Sequence, residues 1–300
     1  MKILLTGGTG FIGRNLYEGL KNKYTFFVPN RKELDLLDRE KVENYIKKNK
    51  IDIIIHSAIQ GGENVIETTL RMFLNLARCL SHVKKMIHLG SGAEYGKTRD
   101  LIKIKESNFG YYIPADKYGL AKYICSQLAR HEKKIVTLRL FGIYGKYEDY
   151  RYKFISNVIV KNILKMPIKI KQNVIFDYLY IEDFIPIMDF FLRSPARYSV
   201  YNITPIQSIT LKEIVLIINT ISTYKSKISI ENDSYNFQYT ANNKHLCEEQ
   251  DFHFTSYRKG IKDLYRYYLS QSLSLDETAI KIDKYLQKVK IKLSKKKFDL

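Results

Sequence analysis

A phenol and an ammonium stand four positions apart in Tyr118-Gly119-Leu120-Ala121-Lys122. On a helix that spacing puts both side chains on one face, about one turn apart. The stretch after Pro114 has a helical stripe, with Ala115, Leu120, Ala121, Ile124, Leu128 and Ala129 at its apolar positions. A cation beside a phenol favours phenolate, so Lys122 is expected to lower the Tyr118 pKa and tune it for proton exchange. Taken alone, such a pair in a chain with 24 tyrosines is more often a solvated helix face.

The second chemical signal is at the start. Lys2-Ile3-Leu4-Leu5-Thr6 runs into Gly7-Gly8-Thr9-Gly10-Phe11-Ile12-Gly13, and helical positions Leu16 and Leu20 follow. A strand, glycines at spacing three and a helix form a dinucleotide fingerprint. Gly7 allows the turn, Gly10 lets backbone approach a pyrophosphate, Gly13 lets helix and strand pack, and the helix N-terminus faces the phosphates. Phe11, Ile12 and Arg14 complete the expected contact segment.

These parts need a scaffold, and the first half supplies one. Strand-like runs at 2–6, 24–28, 52–57, 85–90 and 135–140 alternate with helical patterns at 11–22, 38–49, 64–81 and 115–131. That rhythm predicts an α/β fold, a Rossmann-type doubly wound parallel sheet. Ile53-Ile54-Ile55 and Ile87–Leu89 fit strands buried on both faces. Beyond about 150 the rhythm weakens: a helix near 153–165, strand-like 168–180, a helix at 182–193, a strand at 199–203 and a helix at 210–222 are expected. Ala279, Ile282, Leu286, Val289 and Leu293 form a narrow helical stripe over 276–297 among many lysines, expected to pack on its own domain.

The order of landmarks carries a family resemblance. Strand Lys85–Leu89 ends in Gly90-Ser91-Gly92-Ala93-Glu94-Tyr95-Gly96; the Tyr118/Lys122 helix follows, then Ile135–Leu140 and Phe141-Gly142-Ile143-Tyr144-Gly145. Asp177-Tyr178-Leu179-Tyr180-Ile181-Glu182-Asp183, Tyr201-Asn202-Ile203 and Ser208-Ile209-Thr210-Leu211-Lys212-Glu213-Ile214 come later. Over about residues 1–268 the chain resembles the extended short-chain dehydrogenase/reductase superfamily of nucleotide-sugar epimerases, dehydratases and reductases. The resemblance implies an NADP-binding domain over 1–165, a mainly substrate-binding smaller C-terminal lobe over 166–275 with 176–203 partly returning to the sheet, and a basic tail over 276–300. It also implies a homodimer through helices 64–81 and 115–131, with Met72, Phe73, Leu76 and Leu80 as the apolar face.

The cofactor is read where the second strand ends. Phe26-Phe27-Val28 is followed by Pro29-Asn30-Arg31-Lys32, with no acid to accept a ribose 2′-hydroxyl. Arg31 and Lys32, helped by Arg14, suit the 2′-phosphate of NADP(H). Asp35 and Leu36, in a loop resembling that of the family's reductases, are expected near the adenine, and Ala58 against the cofactor.

The reaction is read from matches and departures. Dehydratases of the superfamily carry Thr-Asp-Glu where this chain has Ser91-Gly92-Ala93, so the acid and base of elimination are missing. The local resemblance is closer to the GDP-fucose synthase type. Ala58-Ile59-Gln60-Gly61-Gly62 looks like its Gly-Gly loop, and Leu89-Gly90-Ser91 like the strand end carrying its catalytic serine. Its epimerising Cys falls on Ala93 and its His near Lys153. The expected activity is therefore NADPH-dependent C4 reduction of a 4-keto-6-deoxy sugar nucleotide without epimerisation. Ser91, Tyr118 and Lys122 are catalytic, and Gly61, Gly62, Gly92, Ala93, Phe141, Lys153 and Asp177 are near the substrate. Gly142 and Phe176 replace an Asn and an Arg that usually bind the diphosphate; Arg151, Lys153, Lys161 and Lys171 are possible substitutes. The competing readings are an NAD-dependent epimerase and a non-catalytic dinucleotide-binding protein.

Bulk properties limit other classes. The 300 residues are 45% hydrophobic, enough for a large core. A net charge of +19 is spread along the chain without a nucleic-acid motif and reads as a solvated lysine surface. No apolar run reaches the length of a membrane span, and no signal peptide is read at the start. Cys79, Cys125 and Cys247 offer neither a disulfide framework nor a metal site; no metal is expected, and a reducing cytoplasm is the simplest compartment. His56 and His88, near strand ends, read as core residues.

Overall fold

The computed structural model describes residues 1–289. In chain order its strands are β1 (Lys2–Thr6), β2 (Thr25–Phe27), β3 (Ile53–His56), β4 (Lys85–Ser91), β5 (Leu101–Ile104), β6 (Ile135–Leu140), β7 (Gly142–Tyr144), β8 (Ile168–Asn173), β9 (Ile175–Phe176), β10 (Tyr178–Tyr180), β11 (Val200–Ile203), β12 (Ile209–Thr210), β13 (Ile228–Tyr235) and β14 (Tyr239–Ala241). The helices are α1 (Phe11–Leu20), α2 (Arg39–Asn49), α3 (Val65–Ala77), α4 (Lys117–Ala129), α5 (Phe154–Ile163), α6 (Ile181–Arg193), α7 (Leu211–Ile221), α8 (Lys244–Glu249), α9 (Tyr257–Leu269), α10 (Glu277–Ile282) and α11 (Lys284–Lys288).

Six strands form the expected parallel sheet in the order β11-β6-β4-β3-β1-β2. Both faces are covered, so neighbours along one strand enter different cores. Ile3 and Leu5 pack with Leu16 of α1 and Phe184 of α6, while Leu4 packs with Val42 and Ile46 of α2 and Phe73 and Leu76 of α3. This is why the strand sequences are continuously apolar rather than alternating. The register puts His56 opposite His88 on adjacent strands. Their rings stack 5.7 Å apart against Phe73, fully buried.

The expected return of 199–203 to the sheet is present as β11 beside β6. The strand-like segment 168–180 is three strands that enter three different sheets. β8 pairs with β13, β10 with β7, and β9 lies in a four-stranded set ordered β12-β9-β14-β5. The apolar cluster that holds Ile3 and Leu16 also holds Ile214 of α7 and Leu264 of α9. One core thus joins the sheet to most of the C-terminal elements, and a small separate cluster of Tyr95, Leu101, Ile104 and Ala241 lies where β5 meets β14.

Two expectations need correction. The helix over 276–297 is broken: α10 and α11 are separated by Asp283 in the left-handed conformation at φ 53°, and Val289 is extended. Lys161 explains the break, since its ammonium, only 5% exposed, takes Asp283 Oδ2 at 2.5 Å; Asp283 Oδ1 meanwhile caps α11. Leu293 lies outside the described residues. The proposed dimer face is also core: Met72, Phe73, Leu76 and Leu80 are all at most 8% exposed within the single chain. They therefore offer no surface to a partner.

Candidate active site

The glycine segment has the geometry its sequence demands. Gly7 lies at φ +70°, and a Cβ there would stand 2.7 Å from the Ala58 backbone. A Cβ on Gly13 would stand 2.3 Å from the Gly7 carbonyl oxygen, so only glycine lets α1 lie this close to the turn. Gly10 differs: a Cβ there would meet only the Gly7 oxygen, at 3.3 Å, and otherwise projects into open space before the N-terminus of α1. Phe11 and Ile12 open that helix, half-buried. This open cradle at a helix N-terminus fits a pyrophosphate.

Just after β2, Arg31 and Lys32 are exposed, and their side chains make no ion pair or hydrogen bond with the described residues. Asp35 caps the backbone of Leu37 at 3.0 Å, and the Leu36 carbonyl accepts from Asn75. Arg14 is not free as expected. It pairs with Glu18 at 3.2 Å and its guanidinium covers the Tyr147 ring at 3.6 Å.

The catalytic candidates converge because β4 and α4 are locked together. Asp116 caps α4 by accepting from Gly119 N at 2.9 Å. A Cβ on Gly119 would stand 2.8 Å from the Ala93 carbonyl oxygen, so the helix can lie tight on the turn that follows β4. Ser91 starts that turn in a reciprocal cap: its Oγ accepts from Ala93 N at 3.2 Å, and Ser91 N donates to Glu94 Oε1 at 2.7 Å. Glu94 is fully buried and takes Arg139 Nε at 2.6 Å; Arg139 also donates to the Tyr95 hydroxyl, which donates to Asn202 Oδ1 at 2.8 Å. A buried charge needs such partners, and this network sets the backbone that aims Ser91.

Ser91 at the end of β4 and Tyr118 in the first turn of α4 come together where that helix lies on the Ala93 carbonyl. Tyr118 opens to the cleft, 37% exposed, whereas Lys122 is 4% exposed and donates to the Leu89 carbonyl at 2.8 Å. The expected depression of the phenol pKa by Lys122 is not what this geometry produces. Burial holds the Tyr118 pKa above the ordinary value, and the Ser91 hydroxyl nearby pulls it back only in part. Burial lowers the pKa of Lys122 itself.

The positions expected near substrate divide. Gly61 and Gly62 lie in an open exposed loop where a Cβ would meet nothing within 4 Å. Phe141 is half-buried beside Tyr95 and Tyr239. Ala93 is 0% exposed beneath α4, and Gly92 is covered by Phe141 and Tyr239; neither presents a surface to a ligand. Asp177 is also 0% exposed, its carboxylate taken by Lys103, Ser208 and Ala241 N, so it holds the C-terminal strands together rather than facing substrate.

The missing diphosphate ligands are explained by packing. A side chain on Gly142 would stand 2.6 Å from the Tyr178 ring, and Phe176 stacks on that ring at 4.9 Å. An aromatic wall thus fills the place of the usual Asn and Arg. Of the four suggested substitutes, Arg151 is forked onto Asp149, Lys161 holds Asp283, and Lys171 donates to the Val289 carbonyl. Lys153, exposed at the N-terminus of α5, is the one whose ammonium has no described partner. Sequence reading missed Lys97, whose ammonium lies 5.4 Å from the Tyr118 ring centroid. It also missed Tyr239; in so tyrosine-rich a chain no local signal marks either.

Strand order, glycine cradle and the β4–α4 junction define a Rossmann-type dinucleotide-binding fold. The chain belongs to the NAD dependent epimerase/dehydratase family, whose model matches residues 3–204. GDP-L-colitose synthase of Yersinia pseudotuberculosis is 32% identical over 187 residues, which are 54% of this chain and 60% of that protein. This chain thus matches less than two thirds of that relative's length. Among solved structures, UDP-glucose 4-epimerase of Thermotoga maritima superposes with a TM-score of 0.78 at 20% identity, over 90% of this chain and 99% of that one. GDP-mannoheptose C4 reductase of Campylobacter jejuni, with NADP bound, superposes with a TM-score of 0.77 at 18% identity, over 89% and 98%. These two likenesses establish the fold. Family membership supports a nicotinamide dinucleotide as cofactor.

Proposed function

We propose that this protein is an NADPH-dependent reductase of the C4 carbonyl of a 4-keto-6-deoxy sugar nucleotide, hexose or heptose, that does not epimerise C3 or C5. The setting is the making of a deoxy sugar for a surface polysaccharide. The observation that carries the reading is the packing of α4, which bears Tyr118 and Lys122, on the turn that begins at Ser91, while Ala93 in that turn is a buried methyl. Proton donors for a carbonyl oxygen are in place, and the position where relatives keep an epimerising thiol has none.

Bound reduced nicotinamide supplies the hydride. Every other role falls to the chain. Gly7, Gly10 and Gly13 admit the pyrophosphate, and Arg31 and Lys32 offer two unpaired cations to a 2′-phosphate. Tyr118 gives its proton to the developing alkoxide, and its raised pKa keeps that proton in place at neutral pH. Ser91 donates to the same oxygen as charge develops. Lys122, anchored on Leu89, is held one helical turn from the phenol to orient the cofactor ribose. Lys153, whose ammonium makes no ion pair or hydrogen bond with the described residues, is the cation offered to the substrate's phosphates.

The test is turnover of 4-keto-6-deoxy sugar nucleotides with NADPH by wild type and Tyr118→Phe. The variant is expected to lose roughly 10²–10⁴-fold in kcat and to bind NADPH as before. Near-normal turnover by the variant overturns the assignment of Tyr118 as the acid, and purification of the protein with tightly retained NAD overturns the reading in favour of an epimerase.

A further inference from the structure

β6 runs between β4 and β11, yet two of its buried residues are polar on the face that α4 covers. Leu138 and Leu140 enter the core shared with α1, while Ile135 packs with Cys125 and Ala129 of α4. Side chains alternate along a strand, so Thr137 and Arg139 share the face of Ile135. Beside them α4, the 106–109 turn and the start of β11 enclose a cavity of about 370 Å³, whose lining includes Glu106, Phe109, Ser126, Arg130, Thr137 and Arg139. No residue assigned above to cofactor or substrate lines it.

The lining is rich in donors. Arg139 spends Nε on Glu94 and one Nη1 hydrogen on the Tyr95 hydroxyl. Its other N–H groups have no partner among the described residues, and its Cζ lies 3.9 Å from the Phe109 ring centroid, which fixes its plane. Ser126 is 3% exposed, and its Oγ has no hydrogen-bond partner among the described residues. A buried hydroxyl left in that state is costly. Arg130 ends α4, exposed, with one Nη1 hydrogen on Gln127. The carbonyls of Ser126, Leu128 and Ala129 accept from the backbone of Arg130, His131 and Glu132, which blunts the negative end of that helix. Glu106 is the one carboxylate in the lining. Its Oε1 accepts from Asn202 N at 2.7 Å, whereas its Oε2 lies 3.8 Å from His245 Nδ1, beyond hydrogen-bond reach.

We propose that this cavity is a phosphate-group site, with Arg130, Arg139 and the Ser126 hydroxyl donating to the phosphate oxygens and Glu106 Oε2 accepting from its remaining P–OH. Two guanidiniums suit an oxyanion with several oxygens. The spare Glu106 oxygen favours an oxyanion that still carries a proton, which phosphate and its monoesters do near about pH 6 and sulfate does not. The site is independent of the reductase reading. It meets the reaction centre on one side chain, because Arg139 also holds Glu94, which accepts from Ser91 N.

The test is calorimetric titration of the full chain with inorganic phosphate at pH 6 and constant ionic strength, with NADP+ present in excess to fill the glycine cradle. One phosphate per chain should bind, roughly 10-fold more weakly in Ser126→Ala and roughly 10–100-fold more weakly in Arg130→Gln. Lys153→Gln should bind it as wild type does, and the melting temperature of Arg130→Gln should match wild type. Sulfate should bind roughly 10-fold more weakly than phosphate. Glucose 1-phosphate binding more tightly than phosphate supports the site with a monoester as its occupant; the reverse order supports it with the free ion. Absence of binding at millimolar phosphate leaves the cavity to water and overturns the proposal. Binding untouched by Ser126→Ala and Arg130→Gln, or sulfate bound as tightly as phosphate, overturns it equally. No turnover enters the test, so its failure leaves the reductase reading standing, and failure of that reading leaves the site standing.

Discussion

At the residue scale, the site depends on which charged and polar groups are already spoken for. Arg14, expected to help the cofactor, is held by Glu18 and Tyr147, while Arg31 and Lys32 have no ion pair or hydrogen bond with the described residues. If those two residues select a 2′-phosphate, removing their charges should remove the preference. Arg31→Ala with Lys32→Ala is expected to weaken NADPH binding by roughly 10–100-fold, from the loss of charge-assisted hydrogen bonds. NADH binding should change little. Fluorescence titration of both nucleotides measures this, and a preserved NADPH:NADH ratio would show that selectivity lies elsewhere.

At the element scale, the junction of β1 with α1 separates packing from binding. Gly13 is where the helix touches the Gly7 carbonyl, so Gly13→Ala must push α1 away from the turn. It should cost roughly 1–3 kcal/mol of stability and the cofactor with it. Gly10→Ala meets only one atom, at 3.3 Å, so its melting temperature should stay near that of wild type while NADPH binding is lost to the intruding methyl. Thermal melts paired with binding titrations distinguish the two; a Gly13→Ala protein as stable as wild type would contradict the geometry. A similar division runs through β4. Its apolar run serves the core, and only its last residue, Ser91, turned by the Glu94–Arg139 network, reaches the cleft.

At the scale of the whole molecule, buried titratable groups make stability depend on pH in two opposing ways. His56, with its pKa pushed down to about 3, and His88, well below 6.5, are buried neutral. The unfolded chain therefore takes up protons first as pH falls. Their contribution is full above about 6.5 and is lost on acidification, each by up to about 1.4 kcal/mol per pH unit. Glu148 works the other way. Burial raises its pKa from 4.5 to about 7, so its contribution is full below 4.5 and lost as pH rises through about 7. Glu148→Gln should accordingly be more stable than wild type at pH 8, by roughly 1–3 kcal/mol. Below pH 6.5 it should lose stability more steeply, because the histidines then act unopposed. Denaturant titrations at pH 5, 6, 7 and 8 measure both; parallel curves for the two proteins would refute the assignment.

Local and contiguous features were legible in the amino-acid sequence. The glycine segment, the alternating strands and helices, the Tyr118/Lys122 face and the absence of an acid after the second strand each depend on neighbours within one or two turns. The return of 199–203 to the sheet was legible through the family resemblance. Tertiary structure alone decided what depends on distant partners. Phe73 and Leu76 look the same in sequence whether they face a second subunit or α2, and here they face the core. The stripe over 276–297 gives no sign that Lys161 would capture Asp283 and break the helix. Asp177 stands in a recognisable motif, yet Lys103, Ser208 and Ala241 consume its carboxylate. Tyr239 reaches Gly92, the residue after Ser91, only because β14 lies between β5 and β9. Periodicity encodes which face of an element is apolar; which atoms meet across that face is set by long-range packing, and the chemistry of the cleft depends on the second.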